Sequence, residues 1–157
     1  TDPRYVIQFF GEGSAMLEDY ARKHGVSNVE FVGGFQLEET PVLLAKADVI
    51  NNLYGRGNIA LDTAVSIRYY YALFMRIPIL VFRRTYMDEV SRRLGIGFAV
   101  GEDFSTLADD FFNWYHSLVF EELEAKCEAE TRRIRSENAK LEAIFADIIN
   151  NMTGAFQ

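Results

Sequence analysis

Ser66 and Arg68 open a helical run directly after the loop Tyr54-Gly55-Arg56-Gly57-Asn58. The two glycines of that loop can take backbone angles that other residues avoid. The order strand, glycine loop, helix, strand puts this helix start at the edge of an open α/β sheet where ligands usually sit. Several site chemistries find little support. Cys127 is the one cysteine, so no disulfide or cysteine-based metal site forms within the chain, and it reads as a small core residue. His24 and His116 lie far apart with no carboxylates at metal-motif spacing, and His24 reads as a solvated helix-end residue. No Gly-Lys-Ser/Thr phosphate loop occurs. Gly11 and Gly13 begin a dinucleotide fingerprint, but the third glycine position holds Met16. The next strand ends in Gly33-Gly34, where a ribose-binding acid would stand, so a nicotinamide or flavin site is not expected.

Charge and size narrow the partner. The chain has 157 residues, 16 Lys and Arg against 23 Asp and Glu, and a net charge of -7. Such an acidic surface argues against nucleic acid, which needs a basic patch. A small anion remains compatible, because a helix N-terminus and one arginine act locally. With 49% hydrophobic residues the expectation is one domain over 1–157 with a full core. No apolar run reaches a membrane span and no signal peptide is present, so the cytoplasm is the expected compartment. The chain opens at Thr1 without a methionine, and the expectation is a piece of a longer protein.

The elements that must position Ser66 and Arg68 follow from periodicity. Tyr5 to Phe10 reads as a buried strand, and Ser14 as the cap of a helix carrying Met16, Leu17, Tyr20 and Ala21 up to Gly25. Val29 to Val32 is a second strand. Thr40-Pro41 starts a helix with Val42, Leu43, Leu44 and Ala47. Asp48 to Leu53 is a short strand with Asn51 and Asn52 toward its carboxyl end. The helix from Ser66 follows, then a strand Ile79 to Phe82 after Pro78. Thr85 caps a helix bearing Met87, Val90 and Leu94. Phe98 to Val100 is a last strand, and Ser105 starts a helix with Leu107, Phe111, Tyr115 and Leu118. From about Glu121 to Asn150 the pattern is one long helix, with Leu123, Cys127, Ile134, Leu141, Phe145 and Ile148 as its apolar stripe. Strands alternating with helices imply an α/β, Rossmann-like parallel sheet with helices on both faces. In such sheets ligands sit at the carboxyl ends of the strands.

In order and spacing these segments resemble the C-terminal, nucleotide-sugar-binding half of a retaining GT-B glycosyltransferase. Phe10-Gly11-Glu12-Gly13 is similar to that family's strand ending in a Gly-x-Gly turn, and Val29 to Phe35 to its next strand. Glu38 to Val49 resembles the helix and strand that follow. Tyr71 to Leu80 resembles the segment Glu-Ala-x-x-x-Gly-x-Pro-Val-Val, and Gly95 to Val100 the later Gly-x-Gly strand. The departures are Tyr71 in place of the ribose-binding Glu, Thr63 in place of the paired acid, and Arg76 in place of Gly. A phenol cannot accept two ribose hydroxyls as a carboxylate does; Asp62 is a nearby acid able to substitute.

The resemblance implies a UDP- or GDP-sugar as donor substrate, with no further cofactor, and no metal because no Asp-x-Asp pair is present. It implies sugar transfer to a glycan or lipid-linked acceptor in polysaccharide biosynthesis, with a missing N-terminal acceptor domain as partner. It is compatible with peripheral membrane association of the parent protein. The residues it places at the donor are Ser66, Ile67, Arg68, Tyr71, Gly34, Phe35 and Asn58. Each has a plain structural role beside it. Ser66 caps the helix, Arg68 is an exposed helix residue, Tyr71 is a packed aromatic, and Gly34 and Phe35 form a strand-end turn. Trp114 and Tyr115 read as core. The rival to an enzyme is a degenerate GT-B-like module that binds or interacts without catalysis, supported by the acids lost at Tyr71 and Thr63. An unrelated receiver-like or epimerase-like domain finds too few acids after its first strand, or too few histidines and acids overall.

Overall fold

The computed structural model describes residues 2–154, with side chains to 151. The protein is mixed α/β, with parallel sheets flanked by helices and a long C-terminal helix. Two compact units divide it, Thr1–Ala47 and Asp48–Gln157.

In the first unit, strand β1 (Ile7–Phe10) pairs in parallel with β2 (Val29–Gly33) across helix α1 (Ser14–Lys23). Phe9 stacks on Phe31 at 5.3 Å between ring centroids. The register slips between Phe9 and Phe10, where Gly33 adopts φ +78° and its carbonyl accepts from Gly11 N at 2.7 Å. The α1 cap falls on Gly13, one residue before the expected Ser14, because Gly13 takes a left-handed conformation and makes the turn. A 3-10 turn (Leu37–Glu39) precedes α2 (Thr40–Leu44); Gln36 and Glu39 form a reciprocal capping box, so Thr40 is helical and not the cap.

In the second unit, β3 (Ile50–Asn52), β4 (Ile79–Phe82) and β5 (Gly97–Val100) form a parallel sheet in that order. Central β4 supplies Ile79 and Val81, both fully buried, as the continuous apolar run of Ile79 to Phe82 requires. Around it lie α3 (Ile59–Thr63), α4 (Ile67–Met75), α5 (Tyr86–Leu94), α6 (Leu107–His116) and α7 (Phe120–Gly154). Of the three consecutive tyrosines, Tyr69 is the buried ring, Tyr70 is exposed and Tyr71 is half-buried. Trp114 and Tyr115 are half-buried; Trp114 packs 5.3 Å from Phe98.

Helix α7 runs for 35 residues, about 52 Å at the usual rise. Its first part docks through Leu123 and Cys127, both buried. Burial pushes the Cys127 thiol up to about 11, which removes it as a nucleophile at neutral pH. The expected stripe does not stay in the core: Leu141, Phe145 and Ile148 are exposed, with Ile144 beside them. The periodicity is real, but a helix this long outruns α4 and α5, the helices its first turns pack against.

Arg76 ends α4 in a left-handed conformation, φ +56°, and its guanidinium pairs with Glu128 at 2.7 Å. The resemblance puts glycine here, and the angle explains why. A side chain in this region costs about 1 kcal/mol that glycine avoids. Arg76→Gly should therefore be about 1 kcal/mol more stable than Arg76→Ala, which loses the same ion pair. Thermal melts should show a gap of roughly 2–4 °C between the two variants; equal melting temperatures would contradict the strain.

Candidate functional site

The carboxyl ends of β3 and β4 meet the N-termini of α4 and α5 around a cavity of about 200 Å³. All of its walls belong to the second unit. Leu61, Ile67, Phe82 and Met87 make them apolar, Tyr54 and Gly55 come from the glycine loop, and Asn52, Ser66 and Thr85 supply polar groups.

Two of these polar residues are committed to the backbone. Ser66 Oγ accepts from Arg68 N at 3.1 Å and so caps α4. Thr85 Oγ1 donates to the Phe82 carbonyl at 2.8 Å and accepts from Asp88 N at 3.2 Å, capping α5. Asn52 differs. It is 4% exposed, and its Oδ1 is buried without a hydrogen-bond partner. Leaving a buried amide oxygen unpaired costs about 1–3 kcal/mol, so such an atom in a cavity wall marks where a ligand donor belongs.

Two arginines stand over rings that line this cavity. The Arg68 guanidinium lies 4.6 Å from the Tyr54 ring centroid, and its Nη1 donates to the Asn51 carbonyl at 2.9 Å. Arg56 lies 5.6 Å from the Phe82 ring centroid and 3.5 Å from Glu102. Stacking keeps each cation at the rim with part of its donor fork unused. The arrangement can hold a ligand whose anionic part meets the rim and whose hydroxyl-bearing part enters the cavity.

The expected site residues divide accordingly. Ser66 and Ile67 line the cavity, and Arg68 stands beside its Tyr54 wall. Asn58 caps α3, with Oδ1 accepting from Ala60 N at 2.9 Å, and is not among the lining residues. Tyr71 lies one turn further along α4, half-buried and also outside the lining. Gly34 and Phe35 belong to the first unit, both exposed; the Phe35 ring stands edge-on to Phe10 at 6.4 Å. Sequence reasoning did not select Asn52, Arg56 or Thr85 as site residues. The signal for Asn52 was its alternation with Ile50: β3 buries Ile50 and Asn52 and exposes Asn51, so a polar side chain faces inward at the ligand edge.

Among the described residues, no three His, Cys, Asp or Glu side chains are placed to hold a metal ion. No described helix is long and apolar enough to cross a membrane.

Neither a family model nor a curated protein sequence matches the chain. Its fold is similar to two solved structures. One is WaaG, a glycosyltransferase involved in lipopolysaccharide biosynthesis, with a TM-score of 0.54 and 20% identity over 78% of this chain and 32% of that one. The other is AviGT4, a glycosyltransferase involved in avilamycin A biosynthesis, with a TM-score of 0.58 and 17% identity over 78% of this chain and 36% of that one. The chain thus spans about a third of the length of each. At these identities the likeness is one of fold, and what it establishes is a glycosyltransferase-like α/β arrangement.

Proposed function

We propose that this chain is the donor-binding part of a retaining GT-B glycosyltransferase, holding a UDP- or GDP-sugar. The observation that carries the reading is a cavity at the carboxyl ends of β3 and β4 lined by Asn52, whose Oδ1 is buried and unpaired, with Arg56 and Arg68 over its lining rings. A carbonyl oxygen repels phosphate oxygens and accepts from hydroxyls, so it orients the ligand: sugar inward, diphosphate toward the arginines and the α4 N-terminus. A cavity of about 200 Å³ is below the roughly 300–1,000 Å³ of drug-sized sites, which suits one ring of a larger ligand. Catalysis would consist of positioning plus stabilisation of the departing diphosphate. The other half of the enzyme would bring a glycan or lipid-linked acceptor, on the cytoplasmic side, in polysaccharide biosynthesis. Tyr71 would give at most one hydrogen bond to the ribose.

Isothermal titration of the full-length protein with UDP, GDP and their sugars tests this. Saturable binding of one sugar nucleotide is expected. Arg68→Ala should weaken it by more than about ten-fold, since a hydrogen bond to a charged group contributes about 1.5–3 kcal/mol. Asn52→Leu should weaken the sugar nucleotide by about 2- to 10-fold while leaving the bare diphosphate nearly unchanged. No detectable binding by the full-length protein would overturn the proposal.

A further inference from the structure

A second cleft, of about 690 Å³, lies along α5, β5 and the start of α6, and Arg83, Arg84 and Arg92 line it together with Asp88, Phe98 and Asp110. We infer that this cleft is a separate binding site for a phosphate-bearing small molecule. The protein carries a net charge of -7, yet here three arginines face two acids. Both acids are already engaged. Asp88 is 1% exposed; it accepts from Arg84 N at 2.9 Å, and Arg92 grips it with Nη2 at 2.8 Å and Nε at 3.2 Å. Asp110 accepts from Thr106 Oγ1 at 2.7 Å.

The buried carboxylate thus acts as an anchor for the loop and for Arg92. Arg84 sits at φ +66°, a conformation that a long L side chain adopts only when its surroundings hold it, and the bond from its N–H to Asp88 does so. Among the described residues, neither the Arg83 nor the Arg84 guanidinium has a carboxylate within ion-pair distance; the Arg83 guanidinium lies over Gly101, which has no side chain to obstruct it. Two unpaired planar forks beside a third, anchored one match the oxygens of a phosphate group. Phe98 supplies an apolar wall for the rest of the molecule, and the volume falls within the range of small-ligand sites. The site is independent of the cavity at Asn52, with which it shares no lining residue.

Inorganic pyrophosphate, titrated into the isotope-labelled chain at physiological salt and followed by amide chemical shifts, reads both places at once. Saturable shifts at Arg84 and at Gly97 to Ala99 are expected. Arg84→Gly is the informative variant, because glycine keeps the left-handed backbone while removing the side chain that carries the cation. It should weaken the response at Gly97 to Ala99 by about ten-fold while leaving any response at Ser66 to Arg68 unchanged. Shifts confined to Ser66 to Arg68 would overturn the second site and leave the donor reading standing. An Arg84→Gly titration superimposable on that of the unmodified chain would also overturn it.

Discussion

Gly97→Ala is expected to lower the melting temperature by about 6–12 °C, and Ser91→Gly in the same chain to recover most of that loss. Gly97 starts β5 directly against α5. A Cβ built there would lie 2.5 Å from Ser91 Cβ and closer still to Ser91 Oγ. Neither side can yield. Ser91 is 1% exposed and its Oγ donates to the Met87 carbonyl at 2.7 Å. The helix is fixed at its start by the Thr85 cap and at its end by Gly95 at φ +70°, with fully buried Ile96 between helix and strand. Overpacking typically costs about 1–3 kcal/mol, and a clash between two fixed elements belongs at the top of that range. At about 2–4 °C per kcal/mol for a chain of this size, the shift follows. Removing the Ser91 side chain relieves the contact and leaves about 1 kcal/mol from glycine in a helix. Melts of the two single variants and the double form a cycle, and additive effects in that cycle would show that the close approach is not the cause.

Gly97 also shows what the sequence made legible. The pattern Gly95-Ile96-Gly97 was readable as a turn into a strand, and each glycine has its own reason: a left-handed helix end at 95, a close approach at 97. The run Ile79 to Phe82, the Ser66 and Thr85 caps and the course of α7 were readable for the same kind of cause, local and dictated by residue type. Short α3 was not, because Ile59 to Thr63 buries no residue and shows no helical stripe. Where α7 leaves the core was not readable either, since Leu141 and Leu123 are equivalent in pattern and differ only in what lies opposite them. At the site, the cap and the arginine at 66 and 68 were visible from the helix start. That Arg68 rests on Tyr54 and the Asn51 carbonyl depends on how β3 and α4 meet, which no local pattern encodes. Arg56 stood in view within the glycine loop, but the Phe82 ring that orients it is far away in sequence.

Glu130→Leu is expected to cost about 2 kcal/mol at pH 7, roughly 4–8 °C in melting temperature, and Glu130→Gln less, with a loss that vanishes in acid. Glu130 on α7 is 6% exposed. It accepts from Arg133 Nε at 2.8 Å and Nη2 at 2.7 Å and from the Tyr69 hydroxyl of α4 at 3.3 Å, with Arg93 of α5 at 3.6 Å. One carboxylate therefore joins three helices. Removing a partner from a buried pair costs about 3–5 kcal/mol when the remaining charge stays buried. Arg93 and Arg133 are about half-exposed and return to water, which lowers the figure; the Tyr69 hydroxyl cannot. The pH dependence has a definite sign. Hydrogen bonds from Arg133, above all, hold the Glu130 carboxyl below its ordinary value of 4.5, against the opposing effect of burial; Tyr69 and Arg93 assist. Burial, followed by the charge of Glu130, pushes the Tyr69 phenol upward, so its proton stays on as donor. A carboxylate with a depressed folded value stabilises the protein fully above its unfolded value. That contribution fades as pH falls below about 4.5 and through the lower folded value. The gap in melting temperature between the native chain and Glu130→Gln should accordingly be full at pH 7 and close progressively as the pH falls below about 5. A gap that stays constant across that range would mean that shape at this position, and not the ionised carboxylate, ties α7 to α4 and α5.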